Sequence, residues 1–69
     1  MTGPADIRIS GRPGVFEADQ AEVTGEWLHA EGRWRRRVGG NHADHSYGQQ
    51  MAYSWPSRSV EEVRWGAEA

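Results

Sequence analysis

Apolar and polar positions alternate in short runs along this chain. In "DIRIS", Ile7 and Ile9 fall on one face and Arg8 on the other, the period-two pattern of a half-buried strand. "GRPG" follows, with Gly11 and Gly14 bracketing Arg12 and Pro13, which signals a turn. Val15 and Phe16 resume apolar character. The polar "EADQAE" after them reads as one helical turn or as a loop. A β-hairpin is predicted from Val23 to Val38. In "SYGQQMAYSW", Met51, Tyr53 and Trp55 share a parity, and Pro56 ends the run because it has no N–H to give to a ladder. Val63 and Trp65 then share one face of a last strand. A short C-terminal helix over 59–68 is the rival, because Ser59 and Glu62 have capping-box spacing. Gly66 and the alternation of Val63 with Trp65 favour the strand.

These elements predict an all-β protein: four or five short strands with glycine-rich turns, forming a small barrel or a curled antiparallel sheet with at most one short helical turn. No internal repeat or long linker divides the chain. The expected organisation is a loose N-terminus over 1–5, one β domain over 6–65 and a tail over 66–69.

The arginines depend on the register of the hairpin, since a slip of one residue turns every side chain to the other face. A two- or four-residue turn ending at Gly32 puts Trp27 and Trp34 on one face with Val23 and Val38. Thr24, Glu26, Arg33, Arg35 and Arg37 then share the opposite face. A three-residue turn puts Leu28 beside Trp34 and moves Trp27 across. The even turn separates apolar from polar better and is the one predicted, with Trp27 opposite Trp34 and Glu26 opposite Arg35 in its four-residue form. Arg36 falls on the tryptophan face, where it must reach a rim or stack on an aromatic ring.

Composition narrows the class. A chain of 69 residues makes one small domain whose stability rests on a dense core. There is no cysteine, so neither a disulfide framework nor a thiolate zinc site is available, which suits a reducing compartment. Leu28 is the only leucine, and four tryptophans, two tyrosines and one phenylalanine carry much of the burial. The net charge of −2 argues against a basic field over the whole surface. All eight basic residues are arginine. No apolar run approaches the ~20 residues of a membrane span, and "MTGPADIRIS" lacks a signal-peptide pattern, so a cytoplasmic protein is expected.

"SWPSRSVEEVRW", residues 54 to 65, resembles the C-terminal segment of Src-homology-3 domains, an aromatic-Pro-Ser-x-x-Val-x-x-Val pattern matched by Trp55, Pro56, Ser57, Val60 and Val63. "GRWRRRV" is similar to the family's tryptophan-led strand, with Trp34 in the tryptophan's place. The resemblance covers about a third of the chain. It implies an SH3-like barrel whose last two strands are joined by a tight helical turn. The family's N-terminal tyrosine motif is absent, and Ser59 stands where a tyrosine would help line a proline-peptide groove. Small barrels of this kind serve as adaptors, nucleic-acid binders and phage or mobile-element components, and fold does not choose among these.

No nucleophile elbow, paired-carboxylate motif or phosphate-cradling loop is visible, so no enzyme and no cofactor are expected. His42, Asp44 and His45, with His29 as a further imidazole, are weak metal candidates; no metal site is assigned. The predicted function is a non-enzymatic protein-interaction module, with a phage or mobile-element component as one setting. Trp34, Arg36, Tyr53 and Trp55 are the predicted protein contacts, and homo-oligomerisation is a further use of the same aromatics. The alternative is nucleic-acid binding through Arg33, Arg35 and Arg37.

Overall fold

In the computed structural model, which describes residues 2–37 and 45–66, the chain is all-β apart from one 3-10 turn. The strands are β1 (Thr2–Ile9), β2 (Val15–Thr24), β3 (Trp27–Arg37), β4 (His45–Tyr47), β5 (Met51–Pro56) and β6 (Val60–Trp65), with the 3-10 turn at Ser57–Ser59 between the last two. All pairings are antiparallel. They build one open sheet in the order β4-β3-β2-β1-β6. β5 lies on the same edge of β3 as β4, further toward the start of β3. No helix among the described residues is long and apolar enough to cross a membrane.

Alternation sorts the two faces of the sheet as expected in β1, β5 and β6. Ile7 and Ile9 are buried while Arg8 is exposed. Trp55 is buried and Tyr53 half-buried, with Ser54 exposed between them. Val63 and Trp65 are half-buried about an exposed Arg64. Ala5, Ile7, Ile9, Phe16, Ala18, Ala21, Leu28, Ala30 and Trp55 form one buried cluster, and Val60, Val63 and Trp65 pack on it from the far edge. Side chains from both edges therefore meet in one core, so the sheet is curled.

The structure corrects four readings. "EADQAE" is neither a helical turn nor a loop: it lies inside β2, the second-longest strand. The pairing steps from Ala18↔Gly32 to Gln20↔Glu31, so Asp19 is a bulge residue. The bulge shifts the inward parity from Phe16 and Ala18 to Ala21, which hides the strand from a period-two search. Strand pairing also starts earlier than expected, because Thr2, Gly3 and Ala5 already pair with β2.

The hairpin turn is Gly25-Glu26, not a turn ending at Gly32. Trp27 and Trp34 thus belong to the same strand, on opposite faces. Leu28 joins Trp34 on the core side, and Trp27 stands on the outside, 49% exposed. Gly32 has a different purpose. A Cβ built on it would lie 1.9 Å from the Glu17 carbonyl oxygen and 2.7 Å from Ala18 Cα. The bulge at Asp19 presses β2 onto β3 there, and only a residue without a side chain fits. Finally, Glu26 does not stand opposite Arg35. Arg35 pairs with Val15 and takes Glu17 as its ionic partner.

The 3-10 turn is fastened at both ends. The Ser57 N–H and hydroxyl both donate to the Glu26 carbonyl at 2.7 Å, tying the turn to the β2–β3 hairpin. The Ser10 N–H donates to the Ser59 carbonyl at 2.9 Å, tying it to the end of β1.

Candidate functional site

Four aromatic rings converge at the core side of β2, β3 and β5. Phe16 is fully buried and meets Trp34, Tyr53 and Trp55 edge-on, with centroids 5.3, 5.4 and 5.3 Å away. Tyr53 and Trp55 stack at 5.0 Å with an interplanar angle of 19°. Antiparallel pairing produces this arrangement directly: Phe16 faces Trp34 across β2–β3, while Leu28↔Trp55 and Ala30↔Tyr53 set β5 against β3. Ala30 and Gly32 are small residues on the β3 side, opposite Tyr53 and Met51. Each edge-on or stacked pair adds about 0.5–1.5 kcal/mol beyond the area it buries.

Trp34 and Tyr53 form the upper, half-buried layer of this cluster. The Trp34 indole N–H donates to the Tyr53 hydroxyl at 3.4 Å, and that hydroxyl donates to Met51 Sδ at 3.2 Å. The first contact is long for N–H···O, and Met51 is 42% exposed. The polar tips of both rings thus stay near solvent. The Gly48 N–H donates to the Trp34 carbonyl at 2.9 Å and brings the chain past this strand on its way from β4 to β5.

One arginine lies over the indole and a second stands two residues along the same strand face. The Arg12 guanidinium lies 5.4 Å from the centre of the Trp34 ring, within cation–π range. Its loop is set by the Arg12 N–H donating to the Ile9 carbonyl at 3.1 Å. Arg36 follows Trp34 by two residues on the same face of β3 and is exposed. Its stem runs against Gly14, where a built Cβ would sit 3.0 Å from Arg36 Cγ and 2.6 Å from the Arg35 carbonyl. Gly14 thus provides the notch that seats Arg36 at the rim beside the Arg12 loop.

The predicted contact residues therefore separate into layers. Trp34, Tyr53 and Arg36 reach the surface together. Trp55 does not: only 9% exposed, it packs beneath Trp34 and Tyr53. Arg12 was missing from the candidates. Its only sequence signal is a charged residue between two turn glycines, and its position over Trp34 comes from long-range pairing.

The Arg33, Arg35 and Arg37 face is a mixed-charge surface. Arg35 contacts Glu17 at 2.6 Å, Arg33 lies across from that same Glu17, and Glu31 precedes them on the strand. Further along the face, Glu62 contacts both Arg8 and Arg64. Arg37 ends β3, and its side chain is outside the described residues, as are His42, Asp44 and the side chain of His45. His29 accepts or donates a 2.7 Å hydrogen bond with Ser54 on the outer face. Among the described residues no three His, Cys, Asp or Glu side chains gather as a metal site.

No protein-family model matches the chain, nor does any curated protein or solved structure.

Proposed function

We propose that this protein is a non-enzymatic interaction module that binds another protein through the rim formed by Trp34, Tyr53, Met51, Arg12 and Arg36. One observation carries the reading: a half-buried indole, backed by three further rings, has Arg12 over its face and exposed Arg36 two residues along the same strand face. Rigid aromatics with a polar tip, flanked by arginine, are the residues that supply most of the binding energy at protein interfaces. The buried Phe16 and Trp55 hold them in place, so little ordering cost falls on binding.

The strand order, with β6 beside β1 and a 3-10 turn joining β5 to β6, supports an SH3-like reading of the fold. The absence of cysteine suits action in the cytosol. Nucleic-acid binding through Arg33, Arg35 and Arg37 is the lesser reading, because Glu17 and Glu31 share that face and the chain is acidic.

The test compares wild type with Trp34→Ala and Arg36→Glu as baits in nuclease-treated extract of the native cell. A protein retained by wild type and lost by both variants is expected. Retention that ignores both substitutions overturns the reading. In parallel, fluorescence anisotropy with mixed DNA and RNA at about 50 mM salt, where phosphate contacts are strongest, is expected to show no binding. Strong binding there, abolished by Arg33→Glu, would favour the nucleic-acid reading instead.

A further inference from the structure

The chemistry of the rim specifies the partner more closely than "a protein". Resting on the reading above, we infer that the rim takes an acidic, extended peptide segment: an apolar side chain on Trp34, Tyr53 and Met51, and carboxylates on Arg12 and Arg36.

Three observations support this. First, three of the four described arginine side chains on the sheet's outer face have a carboxylate nearby, Arg33 being the exception, whereas neither rim arginine has one among the described residues. Arg8, Arg35 and Arg64 each have a carboxylate within 4 Å. Among the described residues Arg12 and Arg36 have none. Two guanidinium groups without a carboxylate among the described residues form a local positive site, and a carboxylate is their natural complement. Second, the site is built rather than incidental. Gly14 opens the space along which Arg36 lies, and the Arg12 loop carries its guanidinium over the indole. Both arginines are pre-positioned, which reduces the ordering cost of a charge-assisted contact. Third, the apolar surface beside them is small: Trp34 and Tyr53 are half-buried and it ends in soft, exposed Met51, which fits one or two side chains. Nucleic-acid affinity grows with the number of phosphates neutralised, and two arginines offer few such contacts. The observations therefore favour peptide over nucleic acid.

The experiment selects a displayed random dodecapeptide library against wild type and against the double variant Arg12→Glu/Arg36→Glu. Both substituted side chains are exposed, and circular dichroism confirms that the variant is folded. Peptides selected by wild type are expected to carry Asp or Glu on either side of a Leu, Pro or aromatic residue. They should bind the double variant at least about tenfold more weakly. Their addition should also move the Trp34 indole resonance in a nitrogen-15 spectrum. Neutral or basic winners that shift that resonance overturn the acidic partner and leave the protein-binding reading standing. A selection with no winners, or winners that never perturb Trp34, defeats both. A labelled oligothymidine that binds the rim more tightly than the best peptide also overturns the inference, by assigning the arginines to phosphate.

Discussion

Gly32→Ala adds one methyl group at the point where β2 bulges onto β3. The new carbon would lie 1.9 Å from the Glu17 carbonyl oxygen and 2.7 Å from Ala18 Cα. Ordinary contact is about 3.5 Å, so the strands must part by about 1.5 Å. Both obstacles are backbone atoms and cannot rotate aside. Separation of that size breaks the two nearest ladder hydrogen bonds, at about 1 kcal/mol each. Overpacking costs a further ~1–3 kcal/mol. The sum, about 3–5 kcal/mol, is comparable to the whole stability of a domain this small. Thermal unfolding followed by tryptophan fluorescence should show a fall of more than about 12 °C, at about 4 °C or more per kcal/mol, or no cooperative transition. Gly48→Ala is the matched control. Its Cβ would meet Trp34 Cβ at 3.9 Å, an ordinary contact, and its Tm should stay within about 3 °C of wild type. A Gly32→Ala protein that melts with the control would refute the close-approach explanation and with it the account of the bulge.

Other substitutions probe separate parts of the argument. Phe16→Ala removes the ring on which three others rest and should cost about 3–5 kcal/mol in urea unfolding. Trp27→Ser, on the exposed outer face, should cost under about 1 kcal/mol by the same measurement, and a larger loss would restore Trp27 to the core. Ser57→Ala removes one of the two hydrogen bonds to the Glu26 carbonyl and should cost about 1 kcal/mol. Faster amide exchange at residue 57 should accompany it, and unchanged exchange would mean the turn does not depend on the hydroxyl. A double-mutant cycle of Glu17→Gln with Arg35→Met should give a coupling of about 0.5–1 kcal/mol that shrinks in high salt. Coupling that is absent at low salt would count against the neutralised state of that face.

Much of the fold follows from parity. Ile7 with Ile9, Tyr53 with Trp55, and Val63 with Trp65 each face inward as alternation requires. β2 escaped because its core positions do not alternate. Asp19 inserts one residue between Ala18 and Ala21, and both flanking residues are alanines, too small to register as an apolar peak. Gly32 misled for a related reason. Glycine marks turns, but it also marks close backbone approach, and sequence pattern does not separate the two. Placing the turn at Gly32 then set Trp27 opposite Trp34, when the two lie on one strand seven positions apart. In the site, Trp34, Tyr53 and Arg36 were legible from parity on their own strands. Arg12 was not, because its contact with Trp34 spans two turns of chain and depends on the curl of the sheet.

Arg36 shows how the two levels join. Its parity with Trp34 holds for any regular strand through 34–36, so the turn could be misplaced without moving it to the other face. Parity alone left it a charged residue pointing into a core, which would be costly. The structure resolves that conflict: Arg36 is exposed, and its stem passes close to Gly14 in the neighbouring turn. Arg36 thus combines core-side parity with an exposed side chain, beside the loop that carries Arg12 over the Trp34 indole. In the proposed complex an anionic group faces both arginines. That is why Arg36, rather than the longer arginine run around it, is the residue on which the binding hypothesis turns.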